Sequence, residues 1–283
     1  VSPTFLAEII QGRHSFVDAP LRQEFANKWA AGCAEGILNS PDPSFDPSTD
    51  EALPVRYDPR NHAAAKRQNK RILQNRFGLI SDPDAPLFFW PHRLDNYQKG
   101  CQLLADILYP VVSRYWQQNL QIVFVANGEF QSHFLNIIDF HGFEKRVAAC
   151  PFDERLSRLA YGASDFVLMP SRFEPCGLPQ MIGCLYGSLP VAHDTGGIHD
   201  TVEHLDIQSA TGNGFLFESF DAQGLSWAIG EAMQFYNLPR DVKEPHIRRI
   251  MTQSAERFNH AVTAGKYIAL YEKMLQRQLV VPY

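Results

Sequence analysis

From Pro86 to Phe217 the chain alternates short apolar runs with segments of helical period. That alternation restricts the fold more than any other feature. LFFW (87–90), LQIVFVA (120–126), RVAAC (146–150), DFVLM (165–169), LPVA (189–192) and GFLF (214–217) are too short for helices and largely apolar throughout. Strands covered on both faces read this way. Helical segments at 101–116, 129–141, 153–163 and 179–187 separate them, with a short one after Thr195-Gly196-Gly197. Strand–helix repeats of this length make a parallel sheet with right-handed crossovers. The expected class is α/β, a Rossmann-like parallel sheet.

The flanks read as helix and linker. Residues 1–10 suggest a strand end and then a helix, with Ser2 as N-cap and Pro3 in the first turn. Residues 19–32 are amphipathic, and 36–50, with Pro41, Pro43 and Pro47, read as a linker or hinge. A basic helix follows at 61–77, ended by Gly78, its charges read as a solvated face. Pro110 predicts a break or kink in its helix. Helices at about 221–235, 242–254 and 259–277 close the chain.

Composition excludes several classes. The chain has 283 residues, 45% apolar and 20% charged, enough for one large or two smaller globular domains. A net charge of −5 leaves no basic excess for general nucleic-acid binding. Five cysteines at irregular spacing do not make a disulfide framework, so a reducing, cytoplasmic setting is expected. No apolar run reaches membrane-span length and no signal peptide is visible. Val1 opens the chain inside what already reads as structure, and the expectation is a fragment whose start lies upstream.

In parallel sheets ligands lie beyond the carboxyl ends of the strands, at the switch point. The loops there are 91–100, 127–129, 151–153, 170–177 and 193–197. They hold most of the chemically loaded residues. Arg93 and Lys99 precede a helix and suit a diphosphate, though two surface cations would read the same. Glu174 sits in a strand–turn–helix that favours anions and sugar hydroxyls, or is a partner for the helix dipole. Cys176 is better read as a backbone N–H donor than as a nucleophile. Thr195-Gly196-Gly197 admits a ligand close to the backbone, or is a tight turn. Phe152 could stack on a base or belong to the core. His193, His199 and His204 match no metal spacing, and no metal site is expected.

These residues resemble the bacterial glycogen synthase and starch synthase family. The resemblance rests on SPTFxxEI (2–9), ILN with DPSFDPSTD (37–50), RLxxxQKG (93–100), SRFEPCGL (171–178) with Gln180, and TGG (195–197). It covers almost the whole chain. Related enzymes with a second acid eight positions after the first would need one at Ile182, which favours the glycogen/starch synthase side.

The resemblance implies the C-terminal, donor-binding half of a GT-B fold. The tail of a missing N-terminal domain and the hinge would occupy 1–40, the nucleotide-sugar domain 41–250, and a helix crossing back 251–283. The implied activity is retaining transfer of glucose from ADP-glucose to the non-reducing end of an α-1,4-glucan, the acceptor held through the missing domain. Neither cofactor nor metal is implied, and neither nucleic acid nor membrane is a partner. Arg93 and Lys99 would hold the diphosphate and Glu174 the glucose hydroxyls. Backbone N–H groups of Cys176, Gly177 and Leu178 would bind sugar hydroxyls and the distal phosphate. Thr195, Gly196 and Gly197 would lie by the phosphates, and Phe152 would stack on adenine. In isolation the fragment would be nearly inactive and would expose an apolar surface. A degenerate, non-catalytic nucleotide-sugar or glucan-binding module is the alternative. Three departures stand out. Arg93 and Lys99 are six positions apart where the family has five, Pro179 replaces a Thr, and the hinge reads Leu38-Asn39-Ser40 where the family has Leu-Asn-Gly.

Overall fold

The computed structural model describes residues 1–279. Strands β1 (Leu87–Trp90), β2 (Gln121–Val125), β3 (Val147–Cys150), β4 (Phe166–Met169), β5 (Leu189–His193) and β6 (Phe215–Phe217) form one parallel sheet in the order β3-β2-β1-β4-β5-β6. Alternate residues serve opposite faces. Phe88, Trp90, Ile122, Phe124, Phe166 and Leu168 pack with α4 (Cys101–Arg114), α5 (Gln131–His141) and α9 (Ala222–Tyr236). Phe89, Val123, Val125, Val167 and Met169 pack with α3 (His62–Phe77), α6 (Glu154–Ala163), α7 (Pro179–Leu185) and α8 (Gly196–Thr201). Helices on both faces are why the strands read as unbroken apolar runs. The α/β class expected from the sequence holds.

The strand order also fixes where a ligand can bind. β1 is followed by α4 on one face, and its neighbour β4 by α7 on the other. Their loops diverge and leave a crevice between them.

The flanks depart from composition in instructive ways. α1 (Pro3–Ile10) is capped by Ser2, whose Oγ accepts from Phe5 N–H at 3.1 Å. It lies across the carboxyl end of the sheet: Ser2 N–H donates to Pro175 O at 2.7 Å, and Thr4 Oγ1 to Asp200 at 2.7 Å. The Pro- and Asp-rich stretch 36–50 is docked onto the body. Buried Asp50 accepts from Tyr186 Oη at 2.5 Å and Arg158 at 3.4 Å. Its composition therefore reports turn chemistry, with Asp42 and Asp46 bonding the backbone two residues on. Ser40 does not adopt a left-handed backbone, so the family's glycine is not needed there. The helix containing Pro110 runs on unbroken, since Asp106, whose carbonyl loses its partner, faces water. The charges of α3 are not a wholly solvated face, because Lys66 and Lys70 are buried with Asn69 and Gln74.

α10 (Arg240–Arg257) and α11 (His260–Leu275) end the described chain. Neither α2 (Ala19–Ala30) nor α11 has a buried residue, and Trp29, Tyr271 and Met274 are exposed on them. Residues 280–283 of the expected crossing segment lie outside the described residues. Among those described, no helix is long and apolar enough to cross a membrane.

Candidate active site

The loop after β1 brings its lysine to the crevice. Asp95 Oδ1 accepts from Tyr97 N–H at 3.0 Å and Gln98 N–H at 2.6 Å, a side-chain turn that absorbs the additional residue. Tyr97 is turned outward and 54% exposed. Gly100 then opens α4 at φ 70°, and a Cβ there would lie 1.9 Å from Pro170 O. That close approach presses the β1 and β4 loops together. Lys99 Nζ donates to Glu174 Oε2 at 2.6 Å, with both side chains buried. The pair stands at the switch point. Arg93 does not join it. Its guanidinium is exposed, with a long contact of 3.5 Å to Gln98. Of the two cations expected to suit a diphosphate, Lys99 is paired with Glu174 and Arg93 is exposed.

The turn after β4 is braced by Gln180. Its Nε2 lies 3.0 Å from Cys176 O, from Gly177 O and from Thr201 Oγ1. Gly177 is left-handed at φ 70°, and a Cβ there would strike the Gln180 amide. The N–H groups of Cys176, Gly177 and Leu178 donate to no acceptor among the described residues. They are open for a ligand. Pro179 fits as the first residue of α7 but offers no N–H of its own. Burial pushes the Cys176 thiol up, which makes it a poor nucleophile.

The Thr195-Gly196-Gly197 turn differs, because its donors are engaged. Gly197 N–H donates to Glu174 O at 2.7 Å. Gly196 N–H donates to Glu8 Oε1 at 2.9 Å, and Thr195 Oγ1 lies 3.2 Å from the same oxygen. Glu8 Oε2 also meets His14 Nε2 at 2.9 Å. The glycines serve loop-on-loop contact. A Cβ on Gly197 would lie 1.9 Å from Cys176 O, and one on Gly196 would lie 2.2 Å from Glu174 O. Glu8 escaped the sequence-based set of site residues. Its signal was an acid on the same face of α1 as Phe5 and Ile9.

Beside the crevice lies a concavity of about 630 Å³, rimmed by Arg93, Leu94, Asn127, Glu129 and Phe152. Phe152 is 54% exposed, so it is not a core residue. Asn127 Oδ1 accepts its N–H at 2.9 Å and fixes the loop. Beneath, buried His92 has Nε2 3.1 Å from Leu168 O. Burial, with Lys99 as a further cause, holds its pKa well below the ordinary imidazole range, so it stays neutral. Among the described residues no three His, Cys, Asp or Glu side chains gather as a metal set.

The profile of the family described as "Glycosyl transferases group 1" matches residues 85–234, just over half of the chain. The chain belongs to that family.

Among curated relatives, this glycosyl transferase chain is 34% identical over 277 residues to glycogen synthase of Bacillus subtilis, covering 97% of itself and 54% of that protein. It is 35% identical over 280 residues to glycogen synthase of Bacillus licheniformis, covering 98% and 54%. The catalytic domain of starch synthase IV from Arabidopsis thaliana, bound to ADP and acarbose, superposes with a TM-score of 0.83 at 29% identity, covering 98% of this chain and 55% of that one. The glycogen/starch synthase resemblance seen in the motifs therefore holds, with the fold of a GT-B donor-side domain. The chain spans about half the length of the curated relatives it matches. The region matched by the family profile includes both switch-point loops and Phe152, and excludes α1 with Glu8.

Proposed function

We propose that this chain is the donor-binding half of a glucosyltransferase of the glycogen/starch synthase type. It would take ADP-glucose and pass glucose, with retention, to the non-reducing end of an α-1,4-glucan held by the remainder of the protein. The observation that carries this is the buried Lys99–Glu174 pair in the same strand-end turn as the N–H groups of Cys176, Gly177 and Leu178, which donate to no acceptor among the described residues. A cation for the diphosphate, a carboxylate for sugar hydroxyls and unpaired donors for phosphate then lie in one crevice. Arg93, on the rim of the Phe152 concavity, would stabilise the departing nucleotide diphosphate while Phe152 stacks on its base. The two cations make a metal ion or other cofactor unnecessary. Gly196 and Gly197 hold the loops together, and their N–H groups reach phosphate only if Glu8 and the Glu174 carbonyl release them. The remainder of the protein would cover the exposed apolar residues of α2 and α11. A cytoplasmic setting accompanies this function.

The test has two parts. Calorimetry with ADP, ADP-glucose and UDP-glucose on this chain should show binding, with the adenine nucleotides preferred. ADP release and glucan elongation should follow once the chain is joined to the acceptor-side domain of a relative. Absence of binding by all three nucleotides would refute the assignment.

A further inference from the structure

At the other end of the sheet, away from the crevice, a second cleft runs between α3 and α10 over the amino ends of β4 and β5. Five cations, Lys66, Arg67, Lys70, Arg240 and Lys243, face three carboxylates, Asp84, Asp165 and Glu244. This local excess sits in a chain of net charge −5. The ion pairs do not use it up. Lys70 Nζ is satisfied by Asp165 at 2.5 Å and Ala85 O at 2.8 Å. Arg67 and Arg240 share the single carboxylate of Asp84. Lys66 has no carboxylate partner; its Nζ donates to Tyr161 O at 3.2 Å and Tyr186 O at 2.9 Å, and the residue is 7% exposed. Lys243 bonds Tyr236 O and lies 4.3 Å from the centre of the Tyr236 ring. His62, 2% exposed, has Nδ1 2.9 Å from Pro59 O, and its buried Nε2 has no partner. With Nδ1 as donor to that carbonyl, Nε2 is left as an acceptor.

Lys66 and Lys243 are held by carbonyls and a ring and by no carboxylate, and the buried His62 acceptor beside them is unpartnered, an arrangement that a ligand would complete. A tetrahedral oxyanion carrying a hydroxyl answers both needs. We propose that this cleft binds a phosphoryl group, from inorganic phosphate or a small phosphomonoester, through Lys66, Lys243 and Arg240, with His62 Nε2 accepting from a ligand hydroxyl. The cleft volume of about 90 Å³ has room for several water-sized groups and so for a phosphoryl group. Any organic part would stay at the mouth. The site is independent of the transferase assignment, since it lies at the opposite end of β4.

The test is calorimetric titration of the full chain with inorganic phosphate while ADP saturates the crevice. Phosphate binding should persist under ADP, and Lys243→Ala and Arg240→Ala should each weaken it tenfold or more. Lys66→Met should do the same if it folds, and half-exposed Lys243 carries the test if it does not. Glycerol 3-phosphate distinguishes the sources. A tenfold preference for it assigns an organic monoester, equal or lower affinity assigns inorganic phosphate, and His62→Phe should weaken inorganic phosphate by removing the acceptor for its hydroxyl. No binding, binding abolished by ADP, or binding unchanged in Lys243→Ala and Arg240→Ala would overturn the proposal.

Discussion

Replacing Glu174 by Gln separates a ligand-handling acid from a merely structural one. Lys99 and Glu174 are 2.6 Å apart, with side chains 10% and 9% exposed. Glutamine keeps the volume and an acceptor for Lys99, so the loss in stability should stay within about 1–3 kcal/mol. The effect on a diphosphate has the opposite sign. A phosphate oxygen bonded to the same ammonium would lie within about 5.5 Å of the carboxylate, two hydrogen-bond lengths away. At an effective dielectric of about 20, two unit charges at that separation repel by about 3 kcal/mol. Solvent in an open crevice screens this to about 1–3 kcal/mol, roughly 5- to 150-fold in Kd. Glu174→Gln should therefore tighten ADP binding at least about fivefold, read by calorimetry. Glucosyl transfer in the intact protein should fall by about 10²–10³, since the acid no longer orients the sugar as charge develops. Unchanged or weaker ADP binding together with preserved transfer would refute this account of the pair.

Three further outcomes follow from the geometry. Phe152→Ala should weaken ADP by about 1–3 kcal/mol, the worth of one stacked base, and leave the melting temperature unchanged, because the ring is 54% exposed; an unaltered Kd would remove Phe152 from the nucleotide site. Gly197→Ala should destabilise by about 2–4 kcal/mol in urea unfolding, because its Cβ would lie 1.9 Å from Cys176 O; a wild-type midpoint would contradict the loop contact. Lys66 has its folded pKa lowered from 10.5 to about 7 by burial. Between those values the unfolded chain binds more protons, so stability contributed by this group rises with pH across that window, and its burial penalty is fully present below it. Lys66→Met should remove a slope of up to about 1.4 kcal/mol per pH unit between pH 7 and 10.5, measured by denaturant titration.

The strands could be read from the sequence because most are short runs buried on both faces, and LFFW at 87–90 shows this most plainly. The ligand-side loops followed from the strand ends. Neighbouring strands could not be read the same way. β1 and β4 are adjacent though 75 residues separate Lys99 from Glu174, and only that adjacency turns a cation and an acid into a pair. Local periodicity carries no information on such a contact. The same holds for Glu8, which reaches Gly196 across 188 positions. Polar composition misled in two places. Residues 36–50 read as a linker or hinge, but Asp50 is held by Tyr186 and Arg158 from distant elements. The lysines of α3 look solvated, but Tyr161, Tyr186, Ala85 and Asp165 receive them inside the protein.

The carboxylate of Glu8 occupies the Gly196 N–H, and an amide hydrogen serves one acceptor well at a time. A phosphate oxygen that takes this N–H must exchange with Glu8, one anion for another. Such an exchange would leave the local charge balance little altered while releasing α1 from one of its anchors. The remaining anchors are Ser2 to Pro175 in the turn after β4 and Thr4 to Asp200 in α8. Losing the Glu8 contact would leave α1 held at its amino end alone, by Ser2 and Thr4.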